Sequence, residues 1–170
     1  AAAASDHMEL GIAAALFYLV SYAIVKLGAF LIVAHLGGAG ERRVDIDDFA
    51  GLGRRQPAVA ACLSLFLLSL LGLPATAGFL GKFYVFNAAL GSSLVWLAVL
   101  LALNSVIGAY YYLRVIVAMY MREPEEEIAV LPVPWTLSVV LWIAAAGTIY
   151  AGLFPARIFG YAVKAALNIR

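Results

Sequence analysis

The sequence is poor in charge: only 12% of its residues are Asp, Glu, Lys or Arg, against about one quarter in soluble domains. The net charge of +1 offers no concentrated basic face, which excludes a nucleic-acid partner. A single cysteine, Cys62, lies in an apolar run. It excludes an internal disulfide and any multi-thiolate metal or iron-sulfur site. No carboxylate pair, His-Cys cluster or nucleophile triad is visible, and the glycines at 72, 78 and 81 lack the strand-turn-helix context of a nucleotide site. Redox chemistry and a bound metal or cofactor are therefore not expected within this chain. The first ten residues, AAAASDHMEL, have neither the basic start nor the short apolar core of a cleavable signal. The hydrophobic run behind them is expected to stay in the product.

What is abundant is apolar surface. Hydrophobic residues make up 65% of the chain, and the mean hydropathy is +0.99. Several uncharged or nearly uncharged stretches exceed the roughly 18 residues that cross a hydrocarbon core of about 30 Å. The reading is an all-α, multi-pass membrane protein of about four transmembrane helices, the second of them discontinuous.

The first span is placed at 11–36, after an outer-side segment 1–10; as a helix it would rise about 39 Å, enough to cross with tilt. A polar loop, 37–56, follows, in which DIDDFAGLG reads as a short surface helix, acidic at its start and glycine-rich at its end. Pro57 suits the first turn of the next helix. The apolar run 57–90 would be roughly 50 Å long as one straight helix, well beyond the bilayer core. Its interruption is legible at 72–81, where Pro74 removes a helix hydrogen bond and Gly72, Gly78 and Gly81 loosen the backbone. Such irregular backbone is tolerated at membrane depth only when buried in protein or lining a hydrated cavity. After a turn near Gly91 come a third span, 94–121, flanked by Trp96 and a tyrosine cluster, a polar loop, 122–131, and a fourth span, 132–154. The terminal segment, 155–170, spaces its apolar residues like a helix lying on the membrane surface.

Lysines and arginines near span ends set orientation. Arg42, Arg43, Arg54, Arg55, Arg114 and Arg122 put the two polar loops on the cytoplasmic side, with both termini outside, although Arg157, Lys164 and Arg170 in the tail count against this.

Two lysines interrupt the apolar spans: Lys26, near the middle of the first, and Lys82, just after the break. An ammonium at that depth costs about 2.5–3.5 kcal/mol on insertion scales. Low dielectric favours the neutral amine, so such a group can exchange protons near ordinary pH. Lys82 is the principal candidate relay, because transporters place ion sites at broken helices near the midplane; the alternative is a stem that snorkels to the outer interface. Lys26 is a second candidate relay, or a structural ion pair, or a lysine facing a neighbouring subunit. Tyr18 and Tyr22 share a helical face with Lys26, as hydroxyls of a wet path or as an aromatic packing stripe. Ser69 and Thr76 are further candidate path residues, with interhelical hydrogen bonding as the plainer role. His35, near the cytoplasmic end of the first span, is either an inward proton relay or a solvated histidine at a helix end.

SLLGLPATAGFLGKFYVF resembles the broken-helix signature of the antiporter-like membrane subunits of proton-pumping NADH:quinone oxidoreductase, respiratory complex I. AYYYLRVIVAMYMREP and YAIVKLGAF are similar to subunit N in particular, and the similarity runs from about Gly11 to Phe154. The resemblance implies the last helices of the second of two inverted five-helix repeats, plus a final helix. It also implies that Lys82 belongs to a central line of charged residues and exchanges protons with the outer side. Partners would be the lipid bilayer and the other membrane-arm subunits, including the rest of subunit N, in a bacterial plasma membrane. NADH, flavin, iron-sulfur clusters and quinone would be handled by other subunits. A cation/proton antiporter subunit of related fold and a purely structural membrane module are the competing readings.

Overall fold

A computed structural model describes residues 2–38, 45–123 and 132–168 of the chain. Every regular element among them is helical: α1 (Ala2–Gly37), a 3-10 turn (Ile46–Phe49), α2 (Leu52–Arg55), α3 (Pro57–Leu71), α4 (Ala77–Gly91), α5 (Val95–Met121), α6 (Trp135–Leu153) and α7 (Pro155–Leu167). Three stretches are long and apolar enough to cross a membrane individually: Glu9–Gly37 within α1, then α5 and α6. At 15 residues each, α3 and α4 rise only about 22 Å apiece and neither spans alone. In series they supply the fourth, discontinuous crossing. The outer-side segment expected before the first span is itself helical, since α1 is continuous from Ala2.

The broken helix lies along the unbroken α1, running the opposite way. Gly28 of α1 faces the ring of Phe66 in α3, Gly81 of α4 sits against Tyr18, and Phe17 meets Tyr84 edge-on at 5.3 Å. One apolar core, which includes Val25, Ile32, Leu63, Phe66, Leu70, Met119 and Leu141, ties α1, α3, α5 and α6 together. Trp96, Val106, Ile107, Trp142 and Ile143 on α5 and α6 point outward and are more than half exposed. An outer surface this apolar suits lipid or neighbouring subunits rather than water.

The loop before α3 differs from the single surface helix read in DIDDFAGLG. Gly51 adopts a left-handed conformation, φ +71°, which splits the segment into a 3-10 turn and a one-turn helix. Phe49 and Leu52 plug into the core, Arg122 at the end of α5 pairs with Asp47, and Arg54 lies 3.7 Å from Glu123. Arg54, Arg55 and Arg122 thus gather at one end of the bundle. Arg42 and Arg43 of the same basic group, and Arg170 of the tail, lie outside the described residues.

The terminal helix α7 is amphipathic as read, but its apolar face is covered by protein. Ala162 and Ala166 are buried against Ala13 and Phe17 of α1, and Phe159 stacks on Tyr84 of α4 at 4.2 Å. Arg157 and Lys164 remain on its outward face.

Candidate functional site: a lysine at the helix break

The break between α3 and α4 is built by its backbone chemistry. Gly72, at φ +102°, ends α3 in a left-handed cap. The Leu73 N–H donates to Leu68 O at 2.9 Å and the Gly72 N–H to Ser69 O at 3.1 Å, the two bonds of a Schellman motif. Pro74 has no N–H, so the carbonyl of Leu70 loses its helical donor. Ala75, also left-handed at φ +68°, redirects the chain, and Thr76 starts α4 while its hydroxyl donates to Leu73 O at 2.7 Å. The interruption is thus confined to residues 72–76. Gly78 and Gly81, expected within it, lie inside α4 and serve close packing instead. A Cβ on Gly78 would stand 1.9 Å from Ser69 O, and one on Gly81 would stand 3.0 Å from the Tyr18 ring. The break is also clamped from α6, where a Cβ on Gly152 would approach Ala75 O to 2.2 Å.

Lys82 completes the end of α3. Its Nζ donates to Leu70 O at 2.7 Å and to Leu71 O at 3.1 Å, the carbonyls that the cap and Pro74 leave without backbone donors. An ammonium at a helix C-terminus also meets the negative end of the helix dipole. The side chain therefore turns back into the break instead of snorkelling toward the turn after α4. That turn is nine residues away, about 13 Å of helix, which sets Lys82 near the centre of a crossing of about 30 Å. Ser69, fully buried, joins the two half-helices: its Oγ accepts the Gly78 N–H at 3.1 Å.

Two cavities meet at Lys82. A small one, about 10 Å³, is lined by Tyr18, Ser21, Tyr22, Ser69, Gly78 and Lys82, together with Val25 and Leu70. On the other side, toward α5, a more open cleft of about 230 Å³ is bounded by Gly72, Phe79, Phe83, Phe86, Leu101 and Ser105.

Lys26 belongs to a third cavity, also of about 230 Å³, that reaches the loop at Ile46 and Phe49 and shares Leu70 with the small cavity of Lys82. Its Nζ lies 5.4 Å from the Tyr22 ring centre and 4.9 Å from that of Phe30, within cation–π range. Tyr18 and Tyr22 stack at 5.7 Å. Their hydroxyl-bearing rings, read as companions of Lys26, line the cavity beside Lys82, with Tyr22 adjoining both lysines. Thr76 caps α4 and does not line these cavities. His35 stands apart from all three; its Nε2 is buried without a hydrogen-bond partner among the described residues.

Sequence reasoning missed Ser21, only 2% exposed. The available signal was its spacing: three residues after Tyr18, it shares that residue's helical face.

The chain is similar in sequence and fold to known proteins. Residues 2–108 match the family described as "NADH:quinone oxidoreductase/Mrp antiporter, TM". NADH-quinone oxidoreductase subunit N 1 of Solibacter usitatus (strain Ellin6076) is 52% identical over 169 residues, 99% of this chain and 35% of that protein. The chain thus spans about one third of the length of such relatives. Among solved structures, a chain of respiratory complex I from Thermus thermophilus with bound aureothin superposes with a TM-score of 0.75 at 29% identity, over 91% of this chain and 36% of that one. A chain of the Mrp complex from Dietzia sp. DQ12-45-1b shares the fold, with a TM-score of 0.80 at 20% identity, over 94% and 38% of the two chains. The chain is an integral, multi-pass membrane protein that belongs to the NADH:quinone oxidoreductase/Mrp antiporter transmembrane family.

Proposed function

We propose that the chain is a portion of the subunit N type from the membrane arm of a bacterial NADH:quinone oxidoreductase, and that Lys82 relays protons along an outward half-path. The redox steps that drive it, with NADH, flavin, iron-sulfur clusters and quinone, belong to other subunits. The observation that carries the reading is the placement of Lys82, half-buried at a helix break near mid-membrane, with a small cavity on one side and a cleft on the other. An amine in such a position sits between two routes, and its charge is held by two backbone carbonyls whose grip depends on protonation. Lys26 serves as a secondary relay on the loop side, where its cavity adjoins that of Lys82 at Leu70. In the assembled enzyme, Lys82→Met should leave the complex intact and strongly reduce protons translocated per NADH oxidised. Full translocation at a normal oxidation rate would remove the relay assignment.

The same two hydrogen bonds favour a second reading, in which Lys82 is a fixed cap for α3 and never releases its proton. An arginine would serve a fixed cap nearly as well and a relay poorly, because a guanidinium stays protonated.

A further inference from the structure

Hydrogen-bond donors around Lys82 outnumber their described acceptors in one place. An ammonium has three N–H donors; two go to Leu70 O and Leu71 O, and the third has no acceptor among the described residues. The Ser69 hydroxyl accepts from the Gly78 N–H, but its own O–H has no described acceptor. Ser64, Ser105 and Thr148 each turn their hydroxyl back onto the carbonyl four residues earlier. Ser21 makes no such bond among the described residues. Lys82, Ser69 and Ser21 all line the same cavity of about 10 Å³. Ser21 is 2% exposed and Ser69 fully buried, so bulk solvent does not satisfy the two hydroxyls. The cavity lies at the lower edge of the size that holds one water, and a buried water needs two to four polar partners.

We propose that this cavity is a binding site for a single ordered water, and that Ser21 is the residue that positions it. The water accepts from the third N–H of Lys82 and from the Ser69 hydroxyl, and donates to Ser21 Oγ. The surplus donors of Lys82 and Ser69 thereby gain an acceptor, and the Ser21 oxygen gains a donor. Ser21 acts through the water: it fixes the water's orientation, and the water fixes the amine. The inference rests on the relay reading of Lys82, and it adds the contact through which the amine meets the α1 side of the path.

The test uses the assembled enzyme carrying Ser21→Thr or Ser21→Val, side chains of nearly equal shape that differ in the hydroxyl. The rate of proton translocation, at matched complex content, should stay near wild type with threonine and fall about tenfold with valine, the size expected from losing one hydrogen bond to a charged group. Equal behaviour of the two variants overturns the positioning role. A map of the wild-type enzyme that resolves ordered waters should show a peak between Lys82 Nζ and Ser21 Oγ; a dry cavity in that map overturns the site whatever the variants do. Lys82→Met, measured alongside, separates the two claims. If it pumps normally, the relay reading falls; if it fails while Thr and Val variants match each other, only the water inference falls.

Discussion

Gly78→Ala is the sharpest structural perturbation of the break, because the contact it creates is with backbone. The new Cβ would lie 1.9 Å from Ser69 O and 2.7 Å from Ser69 C, so α3 and α4 must separate by about 1.5 Å before an ordinary contact distance is reached. No side-chain rotation can absorb that shift. Overpacking of this kind costs about 1–3 kcal/mol. The movement also pulls the Gly78 N–H off Ser69 Oγ, now 3.1 Å away, and an unsatisfied buried donor adds about 1–3 kcal/mol. Together these approach the whole stability margin of many domains. Ser69→Ala isolates the second contribution, since it removes the acceptor without a clash. The assay is the fraction of the subunit recovered in intact complex from membranes, together with the thermal midpoint of the purified complex. The expected order is wild type, then Ser69→Ala, then Gly78→Ala, with the last strongly depleted. Recovery of Gly78→Ala complex at wild-type level and midpoint would refute the close approach of the half-helices.

Three further outcomes follow from the same geometry. Gly152→Ala should lower complex recovery by destabilising the clamp of α6 on the break by about 1–3 kcal/mol, because its Cβ would meet Ala75 O at 2.2 Å; native gel electrophoresis of solubilised membranes checks it. Lys26→Met should assemble as well as wild type, since the cation–π contacts it loses are worth about 0.5–2 kcal/mol and the intramembrane charge it removes costs at least as much. Its proton translocation, measured by acidification of inverted vesicles, should fall less than that of Lys82→Met, because Lys26 does not border the cavities at Lys82. Arg122→Ala, which removes the exposed pair with Asp47, should change the thermal midpoint by no more than about 1 kcal/mol of stability allows.

The local signals in the sequence carried the spans and the break well. Pro74 cannot donate and Gly72 tolerates a left-handed backbone, so an interruption there follows from residue chemistry alone, and the uncharged runs set the crossings by length. What local pattern does not contain is who meets whom. Gly78 and Gly81 look like loosening residues in a one-dimensional reading, yet their freedom from a Cβ is used for approach to Ser69 and Tyr18, contacts between separate segments. Likewise the reach of Lys82 back to Leu70 and Leu71 depends on the fold of the break. Tyr18 and Tyr22 were assigned to Lys26 by helical spacing, and tertiary packing gives them Lys82 as well. Ser21 shares the helical face of Tyr18 by spacing, but only the cavity beside it gives that spacing a meaning. The amphipathic pattern of α7 was readable, but a pattern of one apolar face cannot say whether lipid or protein covers it; here α1 and α4 do.

Proton transfer through this chain requires Lys82 to release its proton, and Lys82→Arg tests this most directly. Arginine keeps a permanent positive charge and hydrogen-bond donors for the carbonyls of Leu70 and Leu71, but it does not give up a proton at physiological pH. In inverted membrane vesicles, with complex content and NADH oxidation measured on the same samples, the arginine enzyme should assemble normally and translocate far fewer protons per NADH oxidised. An arginine enzyme that assembles and pumps at the wild-type ratio would contradict proton release and leave Lys82 as a structural cap.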